Sequence, residues 1–400
     1  MDLPGIISVD DHLVEPPDLW TSQAPESLKG RAPRVERGGA HFTYRGGVFQ
    51  AVRDDVDGLP CDWWIIDGLP DVPTTRVASA VSWAPHERDM VPATFDEMLP
   101  GCYNRESRLT DMDLAGIDGS LCFPTVPRFG GTQFLGIADR QFALWCVQAY
   151  NDWMIDHWCA GPAEGRLFPV VIVPLWDPQL CADEVRRCAA KGAVTVAFIE
   201  NPTKQELPSI HTDHWDPFLR ACEETATVIS MHIGTSGIFS TSLDAPALVS
   251  SSLTHVHSSG TFCDWLLSGK FVQFPNLRIS LAEGQVGWMP YQLERLDKVW
   301  EHNRAWGDVD LPEPPSTYVA GHVWGCIFDD EHGLANRNAI GMSQIMFETD
   351  YPHSDSTWPN CQDAARRVID TAGLDEHEAW QLLRGNAIEC FGLSRHGVTR

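Results

Sequence analysis

The sequence is short of positive charge. Against 55 aspartates and glutamates it has only 29 lysines and arginines, a formal net charge of −26. No basic run interrupts that balance, so the patch that a nucleic-acid backbone or an anionic membrane surface requires is missing. The acidity reads as a solubility feature and specifies no substrate. No apolar stretch approaches the roughly 20 residues that cross a bilayer, and the first residues do not form a basic-then-apolar leader. Twelve cysteines occur without a CxxC pair, the pattern of reduced, mostly buried thiols in a cytoplasmic protein. Ser236 and Ser240 have no recognisable triad partners, and Gly130 and Gly131 are too slight a cluster for a phosphate loop. What remains is an enzyme-sized chain directed at a small molecule.

Hydrophobic residues make up 43% of the chain, enough for a large core. Three apolar runs end abruptly in groups that bind metals. Ile6–Val9 runs into Asp10, His12 and Glu15 before Pro16 and Pro17 stop it. Val228–Met231 ends at His232. Ile345–Phe347 leads to Asp350, and Pro352 forbids further pairing. Such strands carry polar side chains to the rim of a sheet.

Between the first of these and the rest lies a Pro-, Gly-, Arg- and Asp-rich insertion over 16–104. It is expected to act as a lid with short strands such as His41–Tyr44, and Trp63, Trp64 and Trp83 are expected to line an apolar cavity. From Arg105 onward the pattern alternates. Helices are expected at Arg105–Gly116, Arg140–Trp158, Asp183–Lys191, Trp215–Thr225 (with Asp213 as its cap), 254–271, Met289–His302 and Glu331–Ile340. Strands are expected at Ser120–Pro127, Leu167–Leu175, Ala193–Glu200, Thr227–Ile233, Leu277–Glu283, Val323–Asp330 and Ile345–Asp350, and 375–392 adds a C-terminal helix. Eight βα units in order predict one (β/α)₈ barrel domain over 1–400. The rival, an open doubly wound sheet, would spread the ends of strands one, five and eight along its length. A closed barrel brings them to one mouth.

The local motifs are Val9-Asp-Asp-His12-Leu-Val-Glu15-Pro-Pro, Ala149-Tyr-Asn-Asp-Trp153, Met231-His232, Phe274-Pro-Asn-Leu277, Asp350-Tyr-Pro-His353 and Gly385-Asn-Ala387. In this order they resemble the metal-dependent amidohydrolase-related barrels that include aminocarboxymuconate-semialdehyde decarboxylase and the benzoate-type decarboxylases. The resemblance implies that Asp10 and His12 of strand one, His232 of strand five and Asp350 of strand eight hold a divalent ion, Zn, Mn or Fe. Asp11 alternates to the other side.

Two places depart from the family. Strand six ends in Glu283 instead of a histidine, and strand four ends in Glu200, where the superfamily can place a carboxylated lysine between two metals. Glu200 and Glu283 therefore either help to hold a second ion or cap loops and pair with arginine. Glu283, His255 and Asp350 are the catalytic candidates. His255 and His257 diverge by about 200° on a helix and cannot share one ion; the roles of His257, Glu15 and His353 stay open. The implied reaction is hydrolysis or nonoxidative decarboxylation of a bulky apolar or aromatic acid, with loop residues Arg53, Arg76, Arg88 and Arg128 available to a carboxylate. The alternative is a non-haem diiron monooxygenase, for which a carboxylate-rich site is suited. A homodimer is expected.

Overall fold

The computed structural model describes residues 2–45, 48–237 and 241–398. Eight strands follow one another around a single sheet: β1 (Ile6–His12), β2 (Ile117–Phe123), β3 (Leu167–Val171), β4 (Thr195–Phe198), β5 (Val228–His232), β6 (Ile279–Ala282), β7 (Val323–Ile327) and β8 (Ile345–Phe347). Every neighbouring pair is parallel. The ends meet through the backbone: Asp350 N–H donates to the Asp10 carbonyl at 3.0 Å and His12 N–H to the Tyr351 carbonyl at 2.5 Å. The chain is a (β/α)₈ barrel. Its strands are apolar almost throughout because both faces are covered, which parallel sheets require.

Helices α1 (Arg105–Ala115), α2 (Arg140–Trp153), α3 (Pro178–Ala190), α4 (Asp216–Thr225), α5 (His255–Leu267), α6 (Met289–Asn303) and α7 (Cys361–Ala372) form the main outer layer. Their boundaries correct several expectations. The predicted strands run too long at their C-terminal ends: β4 stops before Glu200, β6 before Glu283, β7 before Asp330 and β8 before Asp350. The reason is local. Glu283 and Asp350 sit at positive φ, 59° and 49°, where the backbone leaves the ladder and turns each carboxylate inward. α2 ends at Trp153 and widens into a π turn over Met154–Trp158. α4 begins at Asp216 with Pro217 in its first turn and takes no side-chain cap from Asp213. The segment 254–271 breaks at Gly269, the C-terminal helix is interrupted by a π turn at Gln381–Gly385, and α7 was not anticipated.

The insertion is more regular than its sequence suggests. Arg34–Arg45 pairs antiparallel with Val48–Arg53 and Leu59–Ile65, and Val72–Pro73 completes a four-stranded sheet. Its tryptophans pack instead of lining a cavity. Trp64 meets Trp20 edge-on at 5.3 Å in the main core, Trp63 is buried with Ala40 and Cys61, and Trp83 lies under the Arg76 guanidinium. All twelve cysteines are free and eleven are buried. Among the described residues, no helix is long and apolar enough to cross a membrane.

Candidate metal centre

Strand alternation separates the two aspartates of β1. Asp10 and His12 project to one side and Asp11 to the other. Asp11 accepts hydrogen bonds from Ser8 Oγ (3.0 Å), Thr349 Oγ1 (2.6 Å), the Tyr351 N–H (3.0 Å) and Ser120 Oγ, so it ties β1 to β2 and to the chain beyond β8. Buried Arg108 supports the same corner. It donates to the His12 carbonyl at 2.5 Å and stacks 4.2 Å from the Tyr351 ring.

Within the barrel mouth, His232 Nδ1 donates to the Ile233 carbonyl at 2.6 Å, which leaves Nε2 as the free lone pair. That Nε2 lies 3.0 Å from His12 Nε2, 3.4 Å from Asp10 Oδ2 and 3.2 Å from Glu283 Oε2. His12 Nε2 is 3.5 Å from Asp10 Oδ1 and 3.3 Å from Asp350 Oδ1. His353 Nδ1 stands 3.0 Å from Asp350 Oδ1, and its ring stacks on His12 at 3.7 Å. Two overlapping groups of potential ligands result: Asp10, His12 and His232, and His12, Asp350 and His353. Phe129 covers the cluster, 4.2 Å from His232 and 4.7 Å from His12.

The electrostatics of this cluster call for a cation. Burial is the largest influence on every member. It pushes His232 down to about 3 and His353 to about 4, and with His353 and His232 nearby it holds His12 well below the usual histidine range. The three imidazoles are neutral at pH 7 and can act as ligands. Burial followed by the Glu348 charge raises Asp10 and Asp350 well above the carboxylate range, and burial followed by Asp350 does the same for Glu283. Both oxygens of Asp10, both of Asp350, and His12 Nδ1 are buried without a hydrogen bond. Orphaned carboxylates beside neutral imidazoles are costly unless a dication compensates them. The donor set fits one.

The other candidates lie at the edge of the cluster or away from it. Glu283 bridges the cluster and an adjoining cavity that His255 also lines. Glu200 stands outside both ligand groups; it accepts from Ser258 Oγ at 2.9 Å and Thr235 Oγ1 at 3.5 Å, and burial pushes it up to about 7. Glu15 accepts the N–H groups of Thr125 (3.0 Å) and Val126 (2.9 Å). Arg53 pairs with Asp55 and Asp71, and Arg88 donates to the Trp83 and Ser354 carbonyls. Arg76 donates to the Glu87 carbonyl, and Arg128 to Gln133 at 3.4 Å. Ser240 lies outside the described residues. Sequence reasoning missed Glu348, whose Oε2 accepts the Glu283 N–H (3.0 Å) and the Cys326 thiol (2.6 Å). The sequence does carry a signal for it, since Glu348 is the first polar residue after β8. Arg108 gave no signal at all.

Comparison with known proteins adds independent observations. The sequence pattern of a family described as Amidohydrolase matches residues 46–393. The γ-resorcylate decarboxylase of Rhodococcus jostii (strain RHA1) is 24% identical over 343 residues, spanning 77% of this chain and 98% of that protein. An amidohydrolase from Mycobacterium avium subsp. paratuberculosis K-10 has a solved structure that superposes with a TM-score of 0.67 at 20% identity, over 97% of this chain and 98% of its own. The 5-carboxyvanillate decarboxylase of Novosphingobium aromaticivorans DSM 12444, solved with manganese and 4-hydroxy-3-methoxy-5-nitrobenzoic acid, superposes with a TM-score of 0.59 at 22% identity, over 74% and 82%. At these identities the solved structures attest the shared fold.

Proposed function

The chain belongs to the amidohydrolase family, and from that premise we propose that this enzyme removes CO₂ from an aromatic carboxylic acid without oxidation, using one divalent metal ion. The observation that carries the reading is the convergence of Asp10, His12, His232 and Asp350, buried and short of partners, in the fold of a manganese-containing decarboxylase. These four residues would hold the ion, with His353 packed on His12 to fix the ring. When bound, a divalent ion supplies positive charge to a substrate oxygen and stabilises the charge that develops there.

The remaining chemistry falls to the chain. Glu283 touches both the ligand cluster and the cavity, so it is the group that can deliver a proton to the ring carbon. As that C–H bond forms, the bond to the carboxylate breaks, its electron pair returns to the ring, and neutral CO₂ departs. His255 on the same cavity wall can return a proton from solvent to Glu283. Phe129 keeps water off the imidazoles. The insertion over 16–104 would act as a lid: Val81 N–H donates to the Pro352 carbonyl at 3.1 Å and Arg88 to the Ser354 carbonyl at 3.1 Å, on either side of His353.

The test is anaerobic turnover of a panel of hydroxybenzoates by manganese-loaded enzyme, with CO₂ and ring product quantified. CO₂ and product in equal amounts are expected, and Glu283→Gln should lower kcat by about 10²–10⁴-fold while keeping its metal. Ester or amide hydrolysis in place of CO₂ release, or a strict requirement for O₂, would overturn the reading.

A further inference from the structure

The carboxylate assigned to proton delivery stands on a backbone that its residue types do not favour. β6 ends at Ala282, and Glu283 and Gln285 follow at positive φ, 59° and 53°, on either side of Gly284. Residues with a Cβ keep that conformation only where their surroundings impose it. Here three neighbours do so. Gly284 packs so closely on α5 that a Cβ there would lie 2.9 Å from Ser258 Oγ, and its carbonyl accepts the Trp288 indole N–H at 2.8 Å. Asp330, beyond β7, accepts the N–H groups of Val286 (2.8 Å) and Gly287 (2.5 Å). Glu348, the residue after β8, accepts the Glu283 N–H itself at 3.0 Å.

Glu348 is well fixed for that task. Its own N–H donates to the Ile327 carbonyl at 3.0 Å, and its side chain is buried. That side chain crosses β7, and the oxygen that meets Glu283 also accepts the Cys326 thiol at 2.6 Å. The Glu283 peptide held in this way carries the carboxylate whose Oε2 lies 3.2 Å from His232 Nε2. We infer that Glu348 is a positioning residue: by holding the Glu283 amide it keeps that carboxylate turned into the mouth, and its effect on turnover passes through Glu283. This rests on the decarboxylase reading for the role of Glu283. The rival route runs through the metal ligands, because after burial the Glu348 charge is the strongest influence on Asp10 and Asp350.

The experiment uses the manganese-loaded enzyme and the variants Glu348→Leu, Glu348→Gln, Glu283→Gln and the double variant E283Q/E348L. CO₂ release gives kcat and KM, metal content is measured, and crystal structures locate Glu283. E348L removes the acceptor. It should lower kcat by about 10–100-fold, leave KM and manganese content within about twofold, and move Glu283 Oε2 away from His232. E348Q keeps an acceptor oxygen and should restore most of the loss. On the E283Q background E348L should change kcat by less than about twofold, because residues that act as a unit are not additive. Glu348→Asp draws the acceptor back by one methylene, should behave as E348L does, and carries the same comparison if E348L does not fold. An undisturbed Glu283 in the crystal, an equal loss on both backgrounds, or manganese lost with E348L would overturn the inference. If no hydroxybenzoate yields CO₂, the decarboxylase reading fails, and the crystal structures still decide whether Glu348 holds Glu283 in place.

Discussion

Taking away one imidazole or one carboxylate from the cluster should remove the metal and leave the barrel. His232→Ala deletes the Nε2 that faces Asp10, His12 and Glu283, and Asp350→Asn keeps the shape while halving the oxygen donors. Each variant should lose about 100-fold or more in metal affinity and activity, with an unchanged circular dichroism spectrum. Full metal content in either would show that other residues hold the ion. These residues are legible because His232 directly ends an apolar run and Asp350 follows another within three residues. Arg108 is not, because it acts through the backbone of a distant segment and no spacing encodes that contact, and Glu348 carries only the weak signal of ending the β8 apolar run. Glu15 gives a second residue-scale prediction. Burial raises it from 4.5 to about 7, against the lowering effect of the Val126 and Thr125 amides. Its folded pKa lies above its unfolded one, so between pH 4.5 and 7 the native state holds a proton that the unfolded state has lost. The contribution of Glu15 is thus fully present below the unfolded pKa and declines by roughly 3 kcal/mol as pH rises through that window. Glu15→Gln should flatten the pH dependence of urea stability between pH 5 and 8; an unaltered slope would contradict the assignment.

At the scale of elements, the seam between β8 and β1 decides whether the sheet closes. Asp11 gathers four donors from three segments there, and their loss would leave several polar groups buried without partners. Asp11→Ala should cost about 3 kcal/mol in chemical denaturation, and a loss below about 0.5 kcal/mol would remove the seam from the account. Element order was readable from alternation of apolar runs and helical periodicity. Strand ends were not, because the carboxylates that mark them sit in turned backbone just past the last paired residue, as Glu283 and Asp350 do. The π turns after α2 and before Asn386 also escaped, since one extra residue per turn barely disturbs an apolar stripe.

At the scale of the whole molecule, the insertion shows the limit of pattern reading. Arg34–Arg45 alternates weakly and is rich in Gly and Arg, so only its pairing with Leu59–Ile65 reveals a strand. The barrel, by contrast, followed from the order of its units and from ligands that had to converge. On the proposed reading, Asp10, His12, His232 and Asp350 meet around one divalent ion at the mouth. An anomalous-scattering map from crystals of protein purified without added metal tests this directly, counting and identifying ions together. One peak is expected at about 2.0–2.2 Å from ligand atoms of those four residues, with no Glu200 oxygen bound to it. A map with no peak there, or with two ions of which one is bound by Glu200, would contradict it.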